Sequence, residues 1–257
     1  MDLGLAGRSA LVCASTGGLG AATARALAAE GARVVFSGRR ADVANEAAAP
    51  FAGSVGVAAD LSTVEGARKL HAAAVDAVGP LDILVLNGPG PPPGTASTLD
   101  TTSITTAITS LVLVHQALAE LALPHMLASG WGRVLGLGSS GVATPITGLA
   151  LSNLGRAALA GYLKSLSNEV AANGITVNML LPGRIATDRV AVLDTNAAEK
   201  SGRTIEAVQQ QSAATIPAGR YGDPDEFGAT AAFLCSAKAS YITGTATRCD
   251  GGLVPTL

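Results

Sequence analysis

Ser9-Ala10-Leu11-Val12-Cys13-Ala14-Ser15-Thr16-Gly17-Gly18-Leu19-Gly20 runs from a short apolar strand into a turn made of small residues. The next ten residues, 21–30, are rich in alanine and strongly favour a helix. Strand, tight turn and helix together are a physical recipe for holding a dinucleotide. Side chains without bulk let the backbone approach a pyrophosphate, and the helix N-terminus offers unpaired N–H groups at a positive dipole end. Glycines also mark ordinary turns, so this stretch alone leaves the point open.

Working outward, the chain alternates. Residues 32–37 read as a second buried strand and 41–49 as a second helix; residues 55–59 make a third strand ending in Asp60-Leu61, and 63–78 a helix. A fourth strand, 82–86, stops at Asn87-Gly88-Pro89-Gly90, and the stiff run 89–93 favours a polyproline-like turn. A long helix lies within 101–127, with Pro124 near its end. A fifth strand spans 131–138 and is followed by Ser139-Ser140-Gly141. Residues 149–172 form another long helix, 175–181 a strand, 224–236 a helix and 246–249 the last strand. Residues 187–203 mix polar and apolar side chains without period and read as an irregular segment, part of a lid over a site around 187–215. Strands alternating with helices of this length predict one α/β domain over 1–257, a Rossmann-type doubly wound parallel sheet flanked by helices. Its ligand belongs at the carboxyl ends of the strands.

Composition narrows the function classes. The net charge is −2 and the pI about 5.9, so no basic face marks a nucleic-acid binder. Charged residues are only 14% of the chain, which suits closely packed helices on a sheet. Residues 1–5 lack the basic and apolar halves of a signal peptide. The most apolar stretch, 111–127, is broken by His115, Gln116, Glu120, Pro124 and His125, so no membrane span is expected. Cys13, Cys235 and Cys249 have neither zinc spacing nor an even count, and a reducing cytoplasm is the expected location. At the end of the second strand stand Gly38, Arg39 and Arg40 rather than a carboxylate. A carboxylate there would bind the 2′-hydroxyl of NAD, whereas guanidiniums suit the 2′-phosphate of NADP. NADP is favoured over NAD, the alternative being a merely exposed basic turn.

Several motifs resemble the short-chain dehydrogenase/reductase family across nearly the whole chain. The turn has that family's Gly-x-x-x-Gly-x-Gly form with Ala14 at the first glycine, then Gly18 and Gly20. Ala59-Asp60-Leu61 follows strand three, and Asn173-Gly174-Ile175-Thr176-Val177-Asn178 leads to Pro182-Gly183-Arg184-Ile185-Ala186-Thr187. The tail, from Gly219-Arg220-Tyr221-Gly222-Asp223-Pro224 to Asp250-Gly251-Gly252, looks like that of ketoacyl-carrier-protein reductases. The resemblance implies a cofactor lying against Ala14, Ser15, Thr16, Gly18, Leu19, Gly20, Arg39, Asp60, Leu61, Asn87, Gly88, Arg156, Pro182, Gly183, Ile185 and Thr187. It also implies a homotetramer or homodimer built on the two long helices, a small-molecule substrate and no metal.

The family's catalytic set is Asn, Ser, Tyr and Lys, with Tyr-x-x-x-Lys on one helix. Aligning Arg156-Ala157-Ala158-Leu159 with the usual Lys-Ala-Ala-Leu puts Ser152 at the Tyr position and Arg156 at the Lys position. Thirteen residues back, Ser139 keeps the serine, and Leu111, within a residue, falls at the Asn position. A serine hydroxyl is a far weaker acid than a tyrosine, and an arginine stays protonated. His115, one turn beyond Leu111, is the substitute acid weighed against a packing role; His71, His125, Tyr162 and Tyr221 are less suited. The expected activity is an NADP-dependent oxidoreductase acting on a small carbonyl or alcohol through Ser139, Ser152 and Arg156. A non-redox enzyme of lyase or dehalogenase type and a silent nucleotide-binding protein are the alternatives. Two guanidiniums, Arg156 and Arg184, beside two hydroxyls also point to an anionic substrate.

Overall fold

The computed structural model describes residues 1–256. Seven strands form one parallel sheet in the order β3-β2-β1-β4-β5-β6-β7: β1 Ser9–Val12, β2 Arg33–Gly38, β3 Val55–Ala58, β4 Ile83–Leu86, β5 Gly132–Leu137, β6 Ile175–Pro182 and β7 Ala246–Cys249. The order reverses between β1 and β4, and this switch point opens a crevice at the carboxyl ends of the central strands.

Alternation along each strand divides the core. Leu11, Leu84 and Val177 face one layer with α3 (Val64–Val78), α5 (Val114–Ser129) and α6 (Ala150–Val170). Ala10, Val12 and Val34 face the other, with α1 (Gly18–Ala29), α2 (Ala41–Ala48) and α9 (Pro224–Leu234). Small residues set the helix spacing: a Cβ on Gly228 of α9 would sit 2.6 Å from the Ala22 carbonyl oxygen of α1.

The long helix predicted within 101–127 is α4 (Thr101–Ile108) joined to α5 by a π-helical segment, Thr109–Leu113. By length and composition alone Thr101–Ser129 would cross a membrane; in the fold Leu111, Val114, Leu118 and Met126 are buried. The segment expected to be irregular at 187–203 is instead helical. Thr187 accepts the N–H of Val190 and caps α7 (Asp188–Ser201), Gly202 ends it with φ 66°, and α8 (Ile205–Ala214) follows. The buried face of α7 carries Asp194 beside Ala198. A charge stands where an apolar residue would have revealed the helical period.

Candidate functional site at the sheet switch point

The turn after β1 is held from beneath. Ala14 has φ 46°, the one positive φ outside glycine among the described residues. An L-residue there costs on the order of 1 kcal/mol, offset by bonds that fix the turn. Its N–H donates to Ser37 Oγ at 3.1 Å and its carbonyl accepts from Asn87 Nδ2 at 3.1 Å. Gly18 follows with φ 55°. A Cβ on Gly20 would lie 2.4 Å from the Ala14 carbonyl oxygen, so only glycine lets α1 begin so close to the turn.

Above this turn lies a chamber of about 1060 Å³. Its floor is Ala14, Thr16, Gly18 and Leu19. Arg39, Asp60 and Leu61 stand at one end, Asn87 and Gly88 in the middle, and Ser139, Ser152 and Arg156 at the other end. Pro182, Gly183, Ile185 and Thr187 close one side. Two residues expected against the cofactor lie behind the wall. Ser15 is fully buried, accepting from the Ser37 N–H at 2.8 Å and donating to the Val12 carbonyl at 2.7 Å, so it ties β1 to β2. Gly20 acts through its missing side chain, as above. Beside the chamber, Thr16, Arg39 and Arg40 line a hollow of about 380 Å³ at the end of β2.

At the end of the chamber after β5, Ser139 Oγ accepts the Gly141 N–H at 3.0 Å, which leaves its own proton free to donate. Ser152 and Arg156 are one turn apart in α6 and face the same space. Arg156 Nη1 donates to the Leu137 carbonyl at 2.6 Å. Burial, and then the neighbouring Arg189, press its pKa down to about 10, so the guanidinium is a fixed cation at neutral pH.

Leu111 is buried, with its side chain against Gly155 of α6, and does not line the chamber. His115 is also out of reach. Its ring is 2% exposed, with Nδ1 3.0 Å from the Leu111 carbonyl oxygen and Nε2 behind Gly88 with no hydrogen-bond partner. Burial lowers its pKa to about 4 and keeps it neutral. Tyr162 packs against the core.

Helix α7 corrects one expectation. Arg184 lines the chamber, but its guanidinium is committed elsewhere: it pairs with Asp194 of α7 and donates Nε–H to Tyr221 Oη at 3.2 Å. Tyr221 in turn donates to Asp194 at 3.0 Å. This clasp ties α7 to the loop after β6, and Arg184 is not free to receive an anion. Arg189, in the first turn of α7, faces the chamber instead. Sequence reasoning passed over Arg189, Val190 and Leu193 because it gave their segment no helix. Among the described residues, no cluster of three or more His, Cys, Asp or Glu is placed for a metal.

Residues 13–254 match the model of a family described as enoyl-(acyl carrier protein) reductase. The 3-oxoacyl-[acyl-carrier-protein] reductase FabG of Aquifex aeolicus is 33% identical over 98% of this chain and all of the relative. Human dehydrogenase/reductase SDR family member 4 is 33% identical over 96% of this chain and 88% of its own. L-Sorbose reductase from Gluconobacter frateurii, solved as a complex with NADPH and L-sorbose, superposes with a TM-score of 0.94 at 30% identity, over the full length of both chains. With the parallel sheet, the glycine turn after β1 and the chamber at its switch point, these matches establish that the chain belongs to the short-chain dehydrogenase/reductase family.

Proposed function

We propose that this protein is an NADP(H)-dependent oxidoreductase that interconverts a small carbonyl and its alcohol, with Ser139, Ser152 and Arg156 at the reacting end. One observation carries the reading: the glycine turn and the three polar residues line a single continuous chamber. The residues fit the cofactor. The pyrophosphate would lie against the Gly18 backbone at the N-terminus of α1, where a side chain would obstruct it. The adenosine phosphate would take the hollow of Thr16, Arg39 and Arg40, whose guanidiniums make no ion pair among the described residues. The L-sorbose reductase was solved with NADPH, which supports the same choice here.

When bound, NADPH supplies a hydride. The protein's own residues position the carbonyl and stabilise the negative charge that develops on its oxygen. Ser139 and Ser152 donate hydrogen bonds to that oxygen, and Arg156 supplies a nearby cation in a partly dry chamber, the arrangement of an oxyanion hole. A serine hydroxyl is no acid near neutrality, so the proton that completes the alcohol passes from water through the hydroxyls. The loss of a tuned general acid predicts slow turnover, since that contribution is typically about 10²–10⁴-fold. Leu113, Leu127 and Leu154, exposed on or beside the long helices α5 and α6, support a homodimer or homotetramer formed there.

Consumption of NADPH with a panel of small ketones and ketoacyl thioesters tests the reading. The double variant Ser152→Tyr with Arg156→Lys should gain at least about tenfold, the low end of general acid catalysis. Because Leu111 falls at the family's Asn position, the triple variant that also carries Leu111→Asn is the control. A protein that binds neither NADPH nor NADH would overturn the proposal.

A further inference from the structure

Two guanidiniums face the reacting end of the chamber without a carboxylate to balance them. Arg156 rises from α6 and spends one N–H on the Leu137 carbonyl. Arg189 reaches back from the first turn of α7. Its Nη2 donates to the Pro91 carbonyl at 3.3 Å and lies 3.4 Å from where a Cβ on Gly90 would stand. Each has further N–H groups left, and among the described residues neither belongs to an ion pair. Arg189 is close enough for its charge to make the Arg156 cation less favourable.

The acids nearby do not relieve this repulsion. Asp194 is fully engaged by Arg184 and Tyr221. Asp188 lines the chamber but is exposed to solvent and pairs with neither arginine. Asp60 accepts the Ser62 N–H at 3.0 Å and sits at the far end, near Arg39. A partly buried cation such as Arg156 is ordinarily matched by a protein carboxylate, and the more exposed Arg189 adds a second positive charge beside it. Here the partner position is open space, bounded by the Ser139 and Ser152 hydroxyls and by Ile146, Leu149 and Leu193. Planar guanidiniums match a carboxylate edge to edge in a way that ammonium groups do not.

We propose that the substrate is an oxo acid whose carboxylate bridges Arg156 and Arg189 while its ketone oxygen points to Ser139 and Ser152. The inference rests on the oxidoreductase reading. The ketone carbon accepts hydride from NADPH, which leaves as NADP⁺; the oxygen takes one proton, delivered from water through a serine hydroxyl; and the product is the hydroxy acid. The carboxylate is unchanged throughout. Arg189 belongs to the lid, so substrate charge also draws α7 toward the chamber.

The test uses the whole protein, with a series of short 2-oxo and 3-oxo acids and their neutral methyl esters as probes. Affinities are read by calorimetry with NADP⁺ present, and NADPH affinity is read separately by fluorescence. At least one acid should bind about tenfold or more tighter than its ester, the scale of one charge-assisted hydrogen bond. Arg189→Gln should erase that difference, raising KM for the acid with little change for the ester, while NADPH affinity holds. Acids no better than esters throughout the series would overturn the proposal. So would an Arg189→Gln variant that weakens NADPH as much as the acid, because Arg189 would then be a cofactor contact. Acids that outbind their esters in a protein with no affinity for NADPH would uphold the anion site and remove the reductase reading instead.

Discussion

His115 offers a measurement that reports on the wall beneath the reacting chamber. Its ring is fully enclosed, and burial lowers its pKa from the ordinary 6.5 to about 4. The backbone of Asn87 and the Leu111 carbonyl beside the ring act in the opposite direction, and the positive charge of Arg156 adds slightly to the lowering. Between about pH 4 and 6.5 the unfolded chain therefore holds a proton that the folded protein refuses. Stability then rises with pH across that window, and the contribution of His115 is lost as the pH falls from 6.5 toward 4. At about 1.4 kcal/mol for each pH unit, the gap amounts to about 3 kcal/mol. Glu226, held near 2 chiefly by its hydrogen bonds to Arg220, acts below this window. His71, half-buried and lowered by desolvation, contributes in its upper part with the same sign.

The assay is urea unfolding followed by the fluorescence of Trp131, the single tryptophan, at intervals from pH 7.5 to 4.5. His115→Asn keeps a donor for the Leu111 carbonyl and removes the titration. Its lower baseline stability does not matter, because the slope against pH is what is read. The unmodified protein should lose about 2–3 kcal/mol more than the variant over this range, with His71→Asn as a control for the second histidine. Parallel curves would refute the argument, since they would mean that the ring protonates freely and solvent passes Gly88. The same burial predicts that turnover shows no break near pH 6 or 7, because Arg156 keeps its charge until about 10.

Arg39→Asp should reverse or abolish a preference for NADPH over NADH in a fluorescence titration, because it replaces a guanidinium at the adenosine hollow with a charge that repels a phosphate. Equal affinities in the unmodified protein would remove the role given to Arg39. Asp194→Ala leaves Arg184 without its ion partner and Tyr221 without its acceptor. Losing a buried ion partner costs about 3 kcal/mol, which lowers Tm by roughly 6 °C or more in a chain of this length. Proteolysis should then cut first within α7, and a variant as stable and resistant as the parent would show that the clasp does not hold this helix in place.

The sheet was legible because the central strands carry short apolar runs, Ala10-Leu11-Val12 in β1 and Ile83-Leu84-Val85-Leu86 in β4, that stop at small or polar residues. Helix α7 was not, because Asp194 on its buried face is matched by Arg184 ten residues earlier and Tyr221 twenty-seven residues later. Pairing over such separations has no local signature. Arg133 poses the same difficulty within β5. It is 2% exposed, bonded to the Ser236 and Gly174 carbonyls and stacked 4.3 Å from the Trp131 ring centre, yet nothing in its sequence neighbourhood sets it apart from a surface arginine. At the site, spacing placed Ser139, Ser152 and Arg156 on one chamber but could not choose between Arg184 and Arg189. That choice depended on which guanidinium already had an acid.

The distribution of charge around the chamber favours its proposed occupants. The chain as a whole is slightly negative, at −2, so no general attraction draws anions to it. Four arginines nevertheless line this one space, Arg39, Arg156, Arg184 and Arg189, against two aspartates, Asp60 and Asp188. The fully buried acid, Asp194, cancels only Arg184. A cleft lined by one sign of charge concentrates its field within low-dielectric walls and raises the local concentration of the opposite ion. Asp60 stands near Arg39, but Arg40 adds a second guanidinium where the adenosine phosphate is proposed, and Arg156 and Arg189 leave the other excess where the substrate carboxylate is proposed. In the proposed site an arginine at 156 gives up a tunable proton donor but offers a second face for hydrogen bonding. The small side chain of Ser152, which lines the same space, leaves room for the proposed carboxylate to reach it.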